Sequence, residues 1–255
     1  LELHLERAKE SARTLGIAFD RHEARNQIQA LTFDLDSPHK VRLRVARGGA
    51  IALEARPVPT PLDSPARCIL LPLPVDPGDW RLRHKTSDRG FYEDAQAVAV
   101  EAGADEALFL RDDGLVTEGS IANLFVEREG ILLTPPLALG LLPGVLRRSL
   151  IEQGRAREAE LTIADLEGGF RLGNAVRGGL VVTAEHHDLD TEVVKGTHRG
   201  RRGRAGCVGQ RDDSHPAPIH SDEDRGAAGG SELIATGHQR AEFDPGVSHE
   251  LAVAD

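Results

Sequence analysis

Apolar positions change period several times along the chain, and each change marks an element. Leu5, Ala8, Ala12 and Leu15 recur at helical spacing and Gly16 follows as a stop, which predicts a first helix in "LELHLERAKESARTLG". "VRLRVARGGAIALEA" alternates on both sides of Gly48-Gly49, the pattern of a β-hairpin. "CILLPLPV" is an unbroken apolar run expected of a buried strand, and "YEDAQAVAVEAG" returns to helical character up to Gly103. Two strand-turn-strand units follow, "EALFLRDDGLVTEG" and "ANLFVEREGILLTPP", turning at Asp113-Gly114 and Glu129-Gly130. "LLPGVLRRSLIEQG" puts Pro143 where a first helical turn accepts it and Gly154 where the helix should stop. "TIADLEGG" predicts a short helix capped by Thr162. Strands dominate early and mix with helices later, so the expected class is α+β, a two-subdomain α/β protein, and no internal repeat is visible.

Composition narrows the picture without directing it. A chain of 255 residues can bury a sizeable core, and 40% apolar with 28% charged residues is ordinary for a globular protein. The formal net charge of −10 argues against a nucleic-acid surface. No run of 18 apolar residues predicts a membrane span, and the start lacks the layout of a signal peptide. Cys68 and Cys207 are isolated thiols without metal-ligand spacing, which suits a reducing, cytoplasmic setting.

The two ends depart from this average. The chain has no Met, and it opens directly in a helical pattern, as the interior of a longer reading frame would. Beyond Phe170 the one aromatic residue is Phe243, and "GTHRGRRGRAGCVGQRDDSHPAPIHSDEDRGAAGG" shows neither strand nor helix period. So few apolar groups cannot offset the entropy of ordering, and a disordered tail is expected over residues 181–255. The stretch also resembles high-GC DNA read out of frame. The expected division is therefore a small subdomain over residues 1–78, a larger one over 79–180, and this tail.

Four pieces carry candidate chemistry. Lys85 in "RLRHKTSDRGFY" follows the apolar strand, although a lone lysine there is more often a surface residue. Glu118 in "GLVTEGSIANLF" is a single acid at the junction of two core-like strands, costly if buried charged and unpaired. It could equally be a cap or a surface ion-pair partner. "GLLPGVLRR" is a Gly- and Pro-shaped turn feeding a helix, whose free N–H groups and dipole favour a phosphate, or simply a helix start. "LGNAVRG" presents Asn174 as a possible hydrogen-bond donor on a small-residue turn, or is an ordinary loop.

In this order and approximate spacing, the pieces resemble the class IV aminotransferases and their lyase relatives, pyridoxal-phosphate enzymes of fold type IV. The resemblance rests on "HLERAKESA" with Arg7, on Lys85, on "G-x-V-T-E-G-S-x-x-N-L-F" with Glu118, on "T-P-P-L…G-L-L-P-G-V-L-R" and on "G-N" with Asn174. It covers roughly residues 1 to 178, most specifically Val116 to Arg147. Within the superfamily, "HKTSDRGFY" and "GNAVRG" look most like 4-amino-4-deoxychorismate lyase domains, including those fused behind aminodeoxychorismate synthase.

The resemblance implies the fold of the D-amino-acid aminotransferases, with pyridoxal 5′-phosphate as cofactor. Lys85 is then the catalytic residue that forms the Schiff base and afterwards moves protons on the substrate. Glu118 faces the pyridine nitrogen and keeps it protonated. Arg7 pairs with the 5′-phosphate, helped by the backbone N–H groups of Val145 and Leu146 and by Asn174, and Leu142 packs on the ring face. The expected partner is a small-molecule amino substrate, and the expected assembly a homodimer or a synthase fusion. Two departures stand out. The strands that normally precede the "HLERA" helix are absent, so the small domain is truncated at its N-terminus, and "GLVVTAEHHDLD" leaves the family pattern. Three functions follow: a lyase making 4-aminobenzoate, a branched-chain or D-amino-acid transaminase, or a catalytically impaired fragment of either.

Overall fold

The computed structural model describes residues 1–58 and 66–176, together with the backbone of four short strand segments further on, 182–184, 189–190, 233–235 and 250–251. The expected tail otherwise lies outside the described residues.

The first helix, α1 (Glu2–Leu15), turns Leu5, Ala8 and Ala12 inward and ends where Gly16 takes the left-handed conformation (φ 68°). A second helix, α2 (Arg21–Thr32), lies in a stretch to which the sequence reading assigned no element. Its segment is mostly polar and buries Ala24 and Ile28, so it carries little periodic signal. Asp20 caps it by accepting the N–H groups of His22 and Glu23, and that was its one legible mark. The hairpin β1 (His39–Val45) and β2 (Ile51–Pro57) forms as expected, with Gly49 at φ 86° in its turn. Val41, Leu43 and Val45 meet Leu5, Ala8, Ala24 and Ile28 to make the small subdomain's core.

A second, larger sheet begins with β3 (Cys68–Pro72), ahead of the expected boundary at residue 78. It pairs in parallel with β4 (Glu106–Leu110) across the helix α3 (Gly90–Glu101). Both faces of this pair are covered, which explains the unbroken apolar run of β3. Cys68, Leu70 and Leu108 point to one cluster with Leu124, Phe170 and Leu172, while Ile69, Ala107 and Phe109 point to another with Tyr92, Ala95 and Ala99 of α3. The sheet continues antiparallel through β5 (Val116–Gly119), β6 (Asn123–Arg128) and β9 (Phe170–Gly173), while β7 (Ile131–Thr134) and β8 (Ala156–Glu158) extend from β6. Between β7 and β8 runs α4 (Val145–Glu152).

Two local expectations need correction. Gly144 is extended (ψ 141°) and serves as the N-cap of α4, so Pro143 stands before the helix and not in its first turn. The predicted short helix is a 3-10 turn, Ile163–Leu166, with Thr162 and Asp165 bonding each other's backbone as a capping box. In the C-terminal part, Val182–Ala184 pairs with β9, Leu189–Asp190 with β3, and Leu233–Ala235 and Glu250–Leu251 with β1. Among the described residues no helix is long and apolar enough to cross a membrane, and no group of three His, Cys, Asp or Glu is placed to hold a metal.

Candidate active site

Glu118 lies near the end of β5, opposite Asn123 of β6, and is 3% exposed. Three donors converge on its carboxylate: the Tyr92 hydroxyl at 2.5 Å, the Leu142 N–H at 3.0 Å and the Asn123 amide at 3.2 Å. Burial outweighs them and pushes its pKa up to about 7, while the bonds from Tyr92 and Leu142 pull it down. Such a group holds a proton or welcomes a cationic N–H with little change in pH. Burial and Glu118 hold the Tyr92 phenol well above its ordinary range, so it remains a donor.

Lys85 sits in the loop between the 3-10 turn Trp80–Leu82 and α3, facing the same space. Burial, and then the guanidinium groups of Arg89 and Arg7, hold its ammonium well below the usual lysine range. The shift favours the neutral amine, the form that attacks a carbonyl. Arg7 enters from α1, 7% exposed, and donates to the Pro143 carbonyl at 3.4 Å. Burial, with Arg89 alongside, lowers its pKa to about 10, so it stays cationic at neutral pH in a setting that would welcome an anion.

The start of α4 completes this wall. Gly144 offers no side-chain cap, and the N–H groups of Val145 and Leu146 have no partner within the helix by its geometry. A Cβ on Gly144 would fall 1.8 Å from the Asn123 Oδ1, so glycine is what lets the turn close over Asn123. Asn123 in turn donates to the Leu142 carbonyl at 3.1 Å as well as to Glu118. Behind the helix, buried Arg147 bonds the Pro135 carbonyl at 2.8 Å and pairs with Glu158.

Of the seven residues expected from the sequence, Arg7, Lys85, Glu118, Leu142, Val145 and Asn174 border one cleft of about 590 Å³, part of it open to solvent. The Leu146 side chain turns away to pack with Phe125, Leu132 and Leu150, leaving its backbone N–H for the helix start. Asn174 lines the cleft while its amide holds the local turn, donating to the Ile121 carbonyl at 3.0 Å and accepting the Val176 N–H at 2.9 Å. Tyr92, Arg89 and Asn123, for which the sequence implies no role of their own, also face the cleft. Asn123 stood inside the quoted motif. Tyr92 and Arg89 stand inside "HKTSDRGFY", the stretch that looks like the lyase domains, where no single residue was marked out.

This donor set fits pyridoxal 5′-phosphate. A lysine amine suits the aldehyde, an arginine and an uncapped helix start suit the phosphate, and a buried carboxyl suits the ring nitrogen. The profile described as amino-transferase class IV matches residues 1–184. A Schizosaccharomyces pombe protein assigned as an aminodeoxychorismate lyase is 30% identical over 162 residues, covering 62% of this chain and 70% of its own. A Methanocaldococcus jannaschii protein assigned as a branched-chain-amino-acid aminotransferase is 30% identical over 192 residues, covering 65% of this chain and 66% of its own. The crystal structure of a Mesorhizobium loti protein assigned as an amino-acid aminotransferase superposes with a TM-score of 0.64 at 35% identity, over 72% of this chain and 90% of that one. The chain thus belongs to the class IV amino-transferase family, a family of pyridoxal-phosphate enzymes.

Proposed function

We propose that this protein is a lyase that converts 4-amino-4-deoxychorismate to 4-aminobenzoate and pyruvate, a reaction of folate biosynthesis, and that it works as a homodimer or fused to a synthase. The observation that carries the reading is the segment after the lysine. In "HKTSDRGFY" the helix start brings Arg89 and Tyr92 into the cleft, Tyr92 bonded to Glu118 and Arg89 standing 5.1 Å above the Tyr92 ring. This is the segment whose sequence looks like the lyase domains, and the name of the S. pombe relative supports the same activity. The name of the M. jannaschii relative supports a second reading, transamination of branched-chain amino acids.

In either reading the chain's groups divide the work. Arg7 and the N–H groups of Val145 and Leu146 bind the phosphate, and Asn174 holds the adjoining turn. Leu142 packs on the ring, and Glu118 keeps the ring nitrogen protonated. When bound, the cofactor supplies an electron sink next to the substrate nitrogen. Lys85 anchors the cofactor and then serves as base and acid on the substrate. In the lyase, Lys85 would take the proton from the carbon that bears nitrogen, and the neighbouring ring carbon–oxygen bond would break. That proton would pass to the departing enolpyruvyl group to give pyruvate, with aromatisation supplying driving force.

Two measurements test this. Borohydride treatment of the protein loaded with pyridoxal phosphate should fix the label on Lys85, and label on Lys9, Lys40 or Lys195 would refute the site. Aminodeoxychorismate should yield 4-aminobenzoate and pyruvate. Glutamate formation from branched-chain or D-amino acids with 2-oxoglutarate, without lyase turnover, would replace the lyase reading. No turnover and no bound cofactor would mark an impaired fragment.

A further inference from the structure

Arg89 is a cation that makes no ion pair among the described residues, although the Glu118 carboxyl feels its charge across the cleft. Arg81 is held by Asp79 and Asp88, Arg111 by Asp113, Arg147 by Glu158 and Arg148 by Glu6 and Glu152. Among the described residues no carboxylate makes an ion pair with Arg89. Its guanidinium lies over the Tyr92 ring, 5.1 Å from the centroid, and one nitrogen donates to the Ser120 carbonyl at 3.3 Å. These two contacts fix the plane of the group and leave further N–H donors on a half-buried side chain that lines the cleft.

The charges around it make the surplus specific. Arg7, Lys85 and Arg89 share the cleft wall with a single carboxyl, Glu118, in a protein whose net charge is −10. Arg81 also lines the cleft but is neutralised by Asp79, and burial keeps His84 toward its neutral form. Given the reading of this cleft as a cofactor site, the phosphate answers Arg7 and the start of α4, and the ring nitrogen answers Glu118. Arg89 remains, close enough to Lys85 to be the largest charge acting on it. It stands where an amino substrate must bring its reacting nitrogen.

We infer that Arg89 is a specificity-determining residue that receives a carboxylate of the amino substrate. A planar fork already oriented by an aromatic face pairs with a carboxylate through two parallel hydrogen bonds, and little rotamer freedom remains to be lost on binding. That carboxylate is either a ring carboxylate, as in an aminodeoxychorismate-like substrate, or the α-carboxylate of an amino acid. The shared chemistry is the anion.

The test compares cofactor-loaded wild type with Arg89→Gln and Arg89→Lys. Binding of 4-aminobenzoate is measured by calorimetry against aniline, which lacks the carboxylate, and 2-oxoglutarate serves as the aliphatic probe. Cofactor absorbance and melting temperature report integrity, independently of turnover. Arg89→Gln should keep its cofactor and weaken at least one carboxylate probe tenfold or more, leaving aniline unchanged. For whichever substrate the wild type turns over, KM should rise at least tenfold. Loss confined to 4-aminobenzoate identifies the ring carboxylate, and loss confined to 2-oxoglutarate the α-carboxylate. Arg89→Lys should recover part of the lost affinity. Should Arg89→Gln fail to fold, the Lys variant must itself weaken a carboxylate probe without touching aniline. Unchanged binding of both anions, an equal loss for anions and aniline, or a loss confined to the cofactor would overturn the assignment. Absence of lyase turnover refutes the lyase reading alone, because the binding arms do not depend on it.

Discussion

Glu118 has one phenol, one amide and one backbone N–H around its carboxylate, and these do not compensate its burial. The sign of the consequence can be worked out. Its folded pKa of about 7 lies above the ordinary 4.5, so between those values the folded state keeps a proton that the unfolded state has lost. Stability of the cofactor-free protein then falls as pH rises from about 4.5 to about 7 and is level beyond, by roughly 3 kcal/mol in all. Glu118→Gln removes that slope, but turns one amide N–H toward the Asn123 amide and so forfeits about 1 kcal/mol. The cofactor-free variant should therefore be more stable than wild type by about 2 kcal/mol at pH 8, and the advantage should disappear at pH 4. Urea unfolding at both pH values checks this, and a wild-type stability that climbs across the window would contradict it. On the proposed reading, in which Glu118 holds the proton of the cofactor's ring nitrogen, the variant should instead lose turnover on the order of 100-fold with cofactor bound. Glu118 could be read from sequence because a lone acid between apolar strands demands a partner. Tyr92 could not, since a tyrosine at a buried helical position, here 6% exposed, reads as core.

Among the elements, α4 shows how a helix start is aimed into the cleft, where we propose that it binds the phosphate. Three devices aim it: Gly144 packed on Asn123, Arg147 tied to the Pro135 carbonyl and Glu158, and Leu146 and Leu150 seated beside Phe125. Gly144→Ala would drive a methyl into Asn123, the residue that links Glu118 to the Leu142 turn. Its main expected effect is a tenfold or greater loss of pyridoxal-phosphate affinity, read by absorbance titration. Gly154→Ala at the other end of α4 is the control. It meets open space but must adopt φ 68°, so it should cost about 1 kcal/mol of stability and leave cofactor affinity alone. Equal affinity losses from both would mean that helix stability, not the shape of the turn, governs binding. The Gly-Pro turn and the helix were visible in the sequence as punctuation. Which residue capped the helix was not, because Pro143 and Gly144 both suit its first positions, and Asn123, which decides between them, comes from a neighbouring strand.

At the scale of the whole molecule, α1 joins the β1–β2 hairpin to the elements around the cleft. Leu5 and Ala8 pack on α2 and the β1–β2 hairpin, while Arg7 reaches the Pro143 carbonyl, Glu6 pairs with Arg148 at 3.2 Å, and buried Ser11 meets the His84 Nδ1 at 3.0 Å. The mixed helix-and-sheet class was legible from the change in element type. This second face was not, since hydrophobic spacing marks a helix's apolar stripe and says nothing of where its polar residues dock. The Ser11–His84 contact joins α1 to the residue before Lys85, so anything that breaks it should move the lysine relative to Arg7. Burial, and next Arg83, lower the His84 pKa below the ordinary 6.5, so the folded protein keeps it neutral where the unfolded chain takes up a proton. Its contribution to stability is accordingly lost as pH falls below 6.5, opposite in direction to the contribution of Glu118. His84→Gln retains a hydrogen-bonding group for Ser11 and cannot titrate. Relative to this variant, wild type should lose stability progressively as the pH is lowered from 7 to 5, with the largest gap at the acid end. A gap that stays constant across that range would show that His84 is not held neutral by the fold, and the docking of α1 would then owe nothing to its titration.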